Sequence, residues 1–247
     1  MLSKTGSNKN WFKDWFGQEY VDVYAHRDEQ DALNLVRLIL KHIPIRENTK
    51  ILDAACGNGR HACAMAKYLD YLFGIDLSLF LLRQVRQNCH FKIVRGDIRA
   101  LPFKKEFNAL LNLFTSFGYF FEEQDHLLVL QEFHKVLKPG GFFFFDFLNA
   151  DYVQKYLKET SERWIDSKKI VEHRRINNGR VEKTIIIENQ GKVQEFIESV
   201  RMFTKDELLS MVASAGFTVI KTMGDYHGAS LSKLSPRLIL LLKKGKA

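Results

Sequence analysis

From residue 50 onward, short apolar runs alternate with stretches in which apolar residues recur every three or four positions. Short runs suit strands, and the longer period suits helices packed on one face. The pattern predicts strands at 50–55, 71–75, 91–95, 108–113 and 142–148, with helices at 59–69, 78–88 and 122–137. The last helix ends at KPGG, where Pro139 and Gly140–Gly141 turn the chain into a strand carrying Phe142–Phe145. Four consecutive phenylalanines fit a strand buried on both faces, and the alternation as a whole fits a parallel sheet with helices on both sides. Upstream, residues 28–43 place Ala32, Leu35, Val36, Ile39 and Leu40 at helical spacing, and Pro44 ends that helix.

The pattern changes between 163 and 201. WIDSKKIVEHRRI, RVEKTIIIEN and VQEFIESVR alternate like strands and are separated by turn signals at Asn178–Gly179 and Asn189–Gln190–Gly191. An antiparallel meander is expected here. Helical spacing returns at 204–215, where Thr204 and Glu207 can form a capping box, and strands at 217–222 and 237–243 follow. The expected organisation is an N-terminal helical segment (1–47), an α/β domain (48–160 and 202–247), and an antiparallel insertion or lid (161–201).

Charge and cysteines alter this picture little. The formal charge of +8 raises the question of a nucleic-acid partner, but the basic residues are spread along the chain. The densest group, Lys168, Lys169, His173, Arg174 and Arg175, sits among acids such as Asp166 and Glu172. Cys56, Cys63 and Cys89 lack zinc-ligand spacing and read as separate buried residues in a reducing compartment, without a disulfide framework. No run approaches the length of a membrane span, and the polar start lacks the apolar centre of a leader. A cytoplasmic chain without a membrane partner is the expectation.

The chemistry concentrates in ILDAACGNGRHA at 51–62. Gly57 and Gly59 follow a strand and precede a helix, with Asp76 nineteen residues beyond Gly57, which meets a loose nucleotide-binding fingerprint. A dinucleotide would set its pyrophosphate over these glycines, where Asp53 would repel it. S-adenosylmethionine carries a sulfonium and an ammonium instead, and both would be attracted. Asp76, at the tip of the second strand, can accept from ribose hydroxyls. Asp97, after the third, can accept from the adenine amine with Ile98 packed on the ring. Three acids thus follow three successive strands, at the edge where open α/β sheets bind ligands.

Through ILDAACGNGRHA, FGIDLS, RGDIRALPF, LFTSFGYF and VLKPGGFFFFDF, the chain resembles the class I S-adenosylmethionine-dependent methyltransferases. The resemblance implies a Rossmann-like, seven-stranded, mostly parallel sheet in the order 3-2-1-4-5-7-6, its last strand antiparallel. It implies S-adenosylmethionine as cofactor, held by Asp53, Ala55, Gly57, Gly59, Asp76, Leu77, Asp97, Ile98, Leu113 and Phe114. A third glycine frequent in the family is replaced here, because Arg60 and His61 follow Gly59.

Methyl transfer from a sulfonium is an in-line displacement that needs alignment and desolvation, and a base only where the acceptor must lose a proton. LFTSFGYF looks like the loop of small-molecule methyltransferases, with Thr115, Ser116, Phe117 and Tyr119 as candidate acceptor-pocket residues. Tyr226, His227 and Arg201 are candidate catalytic or orienting groups, and Tyr20 and Arg27 are candidates for the methionine carboxylate. The expected function is methyl transfer to N or O of a small molecule. An RNA methyltransferase is the alternative, weakened because the loop after the fourth strand has neither the proline pair of amino-methylating enzymes nor a cysteine nucleophile. A non-catalytic cofactor-binding regulator and a nicotinamide oxidoreductase are more distant readings.

Overall fold

The computed structural model describes residues 9–25 and 29–245. Two short helices, α1 (Trp11–Trp15) and α2 (Gln18–Val23), precede α3 (Glu29–His42). The α/β succession runs β1 (Lys50–Ala54), α4 (Arg60–Met65), β2 (Tyr71–Asp76), α5 (Leu79–Asn88), β3 (Lys92–Arg95), β4 (Phe107–Asn112), α6 (Glu123–Val136) and β5 (Leu137–Leu148). After α7 (Ala150–Tyr156) come β6 (Thr160–Ile165), β7 (Lys168–Asn177), β8 (Arg180–Asn189) and β9 (Lys192–Arg201). The chain then returns through α8 (Lys205–Ser214), β10 (Phe217–Met223) and β11 (Arg237–Lys244).

The larger sheet has the order β10-β11-β5-β4-β1-β2-β3. Numbered among themselves, its strands follow the expected 3-2-1-4-5-7-6, with β11 antiparallel to both neighbours. The phenylalanine run fills the middle of this sheet and explains why both faces are covered. Phe143 and Phe145 pack with Val129, Leu130 and Phe133 of α6 and Leu208 and Val212 of α8. Phe144 points the other way, into a cluster with Leu35, Val36 and Ile39 of α3 and Met65 of α4. The period of two along a pleated strand sends neighbours to opposite faces, so a four-residue apolar run serves two cores at once.

The strands β6-β7-β8-β9 form a separate antiparallel sheet. Ile170, Ile185 and Ile187 on its inner face join the main core, and α1 packs against β9. Arg180 fastens this small sheet to the loop after β4. Its buried guanidinium donates to the carbonyls of Phe120 (2.9 Å), Gly118 (3.2 Å), Tyr119 (3.2 Å) and Ser199 (2.8 Å), and Nε to Ser199 Oγ (2.7 Å). Burial pushes Arg180 down to about 10, so it still carries its charge at neutral pH.

Three local expectations need correction. The strand predicted from 142 begins at Leu137, because Leu137 already pairs with Phe107; KPGG is therefore a bend within β5, with Gly140 at φ +74°. The helix predicted over 59–69 is confined to Arg60–Met65. Cys63 of α4 and Cys89 at the end of α5 are joined in a disulfide, their Cα atoms 5.6 Å apart, so only Cys56 remains a thiol. Helix geometry brings the two together across α4 and α5, which a search for ligand spacings along the chain could not reveal.

Gly118 sits at φ +86°, and a Cβ there would lie 2.9 Å from the carbonyl oxygen of Arg201 on β9. Gly118→Ala is expected to destabilise the protein by about 2 kcal/mol or more, from the left-handed backbone cost plus the clash. Denaturant unfolding with an unchanged m-value tests this.

Candidate active site

The ends of β1 and β2 are built around two buried carboxylates. Asp53 and Asp76 are 2% and 9% exposed. The chain after β1 turns sharply, with Ala55 at φ +63°, Gly57 at +57° and Gly59 at +78°. Asp76 holds this turn in place. Its Oδ2 accepts from the Gly57 N–H (2.8 Å) and its Oδ1 from the Ser78 N–H (2.8 Å) at the start of α5. Gly59 does not line the cavity; a Cβ at this position would meet Val85 Cγ2 at 2.9 Å, so it serves the packing of α5 beneath the loop. Burial, and then the negative charge of Asp76, push Asp53 up to about 7. Burial also raises Asp76, against the opposing effect of the backbone donors at Ser78, Gly57 and Leu77.

These residues open into a cavity of about 330 Å³, a size usual for small-molecule sites. Asp53, Ala55, Gly57, Asp76, Leu77, Asp97, Ile98, Leu113 and Phe114 all line it, as does Tyr20. Arg27 lies outside the described residues. Asp97 is engaged by Arg99, whose Nη2 donates to Oδ2 at 2.7 Å while Nη1 reaches Asp125 at 3.0 Å. Burial alone would raise Asp97, but Arg99 holds it below the usual carboxylate range. Asp97 thus stays ionised at neutral pH.

The loop after β4 reaches the same cavity in a contorted conformation, with Phe114 at φ +55° and Thr115 at +64°. A fully buried carboxylate, Asp146 of β5, enforces it. Asp146 Oδ2 accepts from the Phe114 N–H (2.8 Å) and the Tyr226 hydroxyl (3.0 Å), and Oδ1 from Arg237 Nε (2.8 Å). Arg237 Nη2 donates to Thr115 Oγ1 at 2.9 Å. Thr115, Ser116 and Tyr119 line the cavity. Phe117 does not: it is fully buried among His126, Phe145, Phe147 and Phe203, because the loop turns it downward into the core.

The three candidate catalytic residues do not converge on the cavity. Tyr226 is bound to Asp146 behind the loop, and burial followed by that negative neighbour pushes its hydroxyl far above the usual phenol range. It is placed to support the loop and cannot serve as a base at neutral pH. His227 is exposed, and its N–H caps Asp225 Oδ1 at 2.9 Å. Arg201 lines a different cavity, donating to the carbonyls of Gly179 and Met202 and pairing with Glu207 at 3.1 Å.

The rest of the cavity's wall includes Trp11, Phe12, Phe16 and Tyr24 of the N-terminal segment and Val181, Lys183, Glu198 and Val200 of the small sheet. Tyr24 is a further candidate for the methionine carboxylate, and Glu198 and Val200 come from the end of the expected lid, whereas Trp11, Phe12, Phe16, Val181 and Lys183 are not singled out by the sequence. Ser78 Oγ donates to the Phe16 carbonyl at 2.7 Å, tying the N-terminal segment to the cofactor side. The available signal was the aromatic density of WFKDWFGQEYVDVY and the alternation that sets Val181 with Lys183, and Glu198 with Val200, on one face of their strands.

Residues 51–141 match a family model described as a methyltransferase domain. Those residues are a methyltransferase domain. Its fold is that of the class I S-adenosylmethionine-dependent enzymes. A demethylmenaquinone methyltransferase of Staphylococcus aureus (strain JH9) is 34% identical over 110 residues, which span 42% of this chain and only 44% of that protein. Among solved structures, an S-adenosylmethionine-dependent methyltransferase from Clostridium acetobutylicum aligns with a TM-score of 0.79 at 16% identity, covering 92% of this chain and 98% of the other. An amino pentose methyltransferase from Micromonospora echinaspora, solved with the cofactor bound, aligns at 0.67 and 18% identity, covering 92% and 97%. These alignments extend the methyltransferase fold across the small sheet and the N-terminal helices as well as the domain itself. Among the described residues, no helix is long and apolar enough to cross a membrane.

Three outcomes follow from this candidate site. Asp53 binds a proton more tightly folded than unfolded, so its contribution to stability falls as pH rises from about 4 to about 7 and the full cost is present above pH 7. Asp53→Asn is therefore expected to raise Tm at pH 8 while weakening S-adenosylmethionine binding by about 1–3 kcal/mol, read by calorimetry. In the unaltered protein, affinity for this cation should fall up to roughly tenfold per unit below about pH 7. Tyr226→Phe removes a supporting hydrogen bond and should cost about 1–2 kcal/mol of stability. Its turnover should stay within about tenfold of the parent, short of the hundredfold or greater loss expected of a general base.

Proposed function

We propose that this chain transfers a methyl group from S-adenosylmethionine to a nitrogen or oxygen of a small-molecule acceptor. One observation carries the reading: a single cavity joins the acid-tipped ends of β1, β2 and β3 to an aromatic chamber covered by the N-terminal helices and the small sheet. The acids suit the sulfonium and ammonium of the donor. Phe114, Tyr119 and the N-terminal rings exclude water from the place where an acceptor would meet the methyl group, which favours an in-line displacement by desolvation and alignment. The relative named for demethylmenaquinone and the neighbour named for an amino pentose favour the same broad class of acceptor.

The charge around the cavity separates this reading from RNA methylation. Asp53, Asp76, Asp97 and Glu198 line it against the cations Arg60 and Lys183, so acids are in excess within a chain of net charge +8. A polyanion would meet repulsion where its target nucleotide has to enter. A covalent mechanism through cysteine also lacks support, since burial, then Asp53 and Asp76, push the only thiol, Cys56, well above its usual range.

Radiolabelled methyl donor, incubated with the protein and either a fractionated metabolite pool or total tRNA, tests the proposal. Label is expected in the small-molecule fraction alone. Label confined to tRNA would overturn the acceptor class, and tight NAD binding without S-adenosylmethionine binding would overturn the reading altogether.

A further inference from the structure

The chamber contains one polar cluster away from the cofactor acids. On the inner face of the small sheet, Lys183 of β8 stands directly opposite Glu198 of β9 in the strand register. Their ammonium and Oε2 are 3.0 Å apart. Glu198 Oε1 accepts from Trp15 Nε1 and from the Tyr24 hydroxyl, both at 2.7 Å. Lys183 also donates to the Tyr24 oxygen. Glu172 Oε1 lies 4.0 Å from the ammonium, beyond hydrogen-bond reach. Burial opposes ionisation of Glu198, yet Lys183 and the two donors hold it below the usual glutamate value, so the cluster is a fixed ion pair at neutral pH.

Such a cluster is costly to keep inside an apolar wall. A buried ion pair replaced by well-packed hydrophobic groups is often neutral or more stable, so this one is poorly explained by stability alone. Its surroundings are aromatic, with Trp11, Phe16, Tyr20 and Tyr119 on the same cavity. Both Lys183 and Glu198 line that cavity, and their side chains keep 19% and 17% of their exposure. An ammonium has three N–H bonds, of which Tyr24 and Glu198 take two. A carboxylate has about four acceptor positions, of which Trp15, Tyr24 and Lys183 take three. What the pair presents to a ligand is one donor beside one acceptor.

Resting on the methyltransferase reading above, we infer that the Lys183–Glu198 pair, braced by Tyr24 and Trp15, anchors the methyl acceptor through two neighbouring polar substituents, as in an amino alcohol or a vicinal diol. Glu198 accepts from the ligand's N–H or O–H. Lys183 donates to the adjacent oxygen, and the aromatic walls cover the carbon skeleton between them. A simple amine, alcohol or phenol would fill only one of the two open positions and leave the other desolvated without a ligand partner, which is a source of discrimination. The pair acts in specificity; the nucleophile's alignment on the methyl group remains with the loop at 113–119.

Ring-matched probes test this on the full chain loaded with S-adenosylhomocysteine, so that no turnover occurs. Affinities of trans-2-aminocyclohexanol against cyclohexylamine, and of cis-1,2-cyclohexanediol against cyclohexanol, are measured by calorimetry or ligand-observed NMR. The two-group member of at least one pair is expected to bind roughly tenfold more tightly or better. That preference should largely vanish in Glu198→Gln and in Lys183→Met, while affinity for S-adenosylhomocysteine stays unchanged. Intact cofactor binding certifies that each variant is folded. Equal binding within both pairs, no binding of any probe to the loaded protein, or a preference that survives both substitutions would overturn the inference while leaving the methyltransferase reading standing. Failure to bind S-adenosylhomocysteine at all would instead remove the reading on which it rests.

Discussion

Two carboxylates buried side by side at the ends of β1 and β2 are the constraint on which the rest of the site depends. Asp53 and Asp76 are nearly inaccessible, and burial raises both. Burial disfavours the ionised form of each, and a positive group arriving beside them would offset that cost. Asp76 is partly accommodated by donating backbone groups at Gly57 and Ser78, which is also how it shapes the glycine turn. Asp53 is the acid whose ionisation is left most dependent on a ligand. The strain is thus placed where a cationic donor would relieve it, a common trade between stability and function.

Another buried carboxylate does different work. Asp146 is paired with Arg237 and accepts from Phe114 and Tyr226, so its charge is satisfied within the protein. It fixes two non-glycine residues, Phe114 and Thr115, in left-handed conformations that would otherwise be unfavourable. Asp53 waits for a partner, whereas Asp146 has three and spends them on loop geometry. The contrast separates an acid proposed to bind the donor from a positioning acid, although both stand at the carboxyl ends of parallel strands in one sheet.

The sequence disclosed what local pattern and charge logic can carry. Sheet composition, strand order through the resemblance, and the acids at 53, 76 and 97 were legible because each lies in a short contiguous motif at a strand end. Phe117 was misplaced because a loop with two left-handed residues defeats any simple alternation of inward and outward positions. Tyr226 was read as an acid or base because its partner, Asp146, is 80 residues away and announces itself only in space. The Cys63–Cys89 disulfide was hidden for the same reason, being a contact between two helices. Lys183 and Glu198 lie on strands whose alternation was visible, but nothing local tells which face of an inserted sheet turns toward a cavity.

That inserted sheet changes what the two halves of the cavity can do. One half is made of backbone turns and strand-end acids, elements fixed by the larger sheet. The other half is made of side chains from α1, α2, β8 and β9, joined by long-range contacts: Trp15 and Tyr24 to Glu198, and Arg163 to the Val23 carbonyl at 2.8 Å. Arg180 then couples this cover to the loop at 118–120 through three backbone carbonyls. Altering the small sheet's inner face would therefore alter acceptor contacts without touching Asp53 or Asp76. With the donor and acceptor seated as proposed, donor binding and acceptor choice are mechanically separable, because the two walls of the cavity belong to two different sheets.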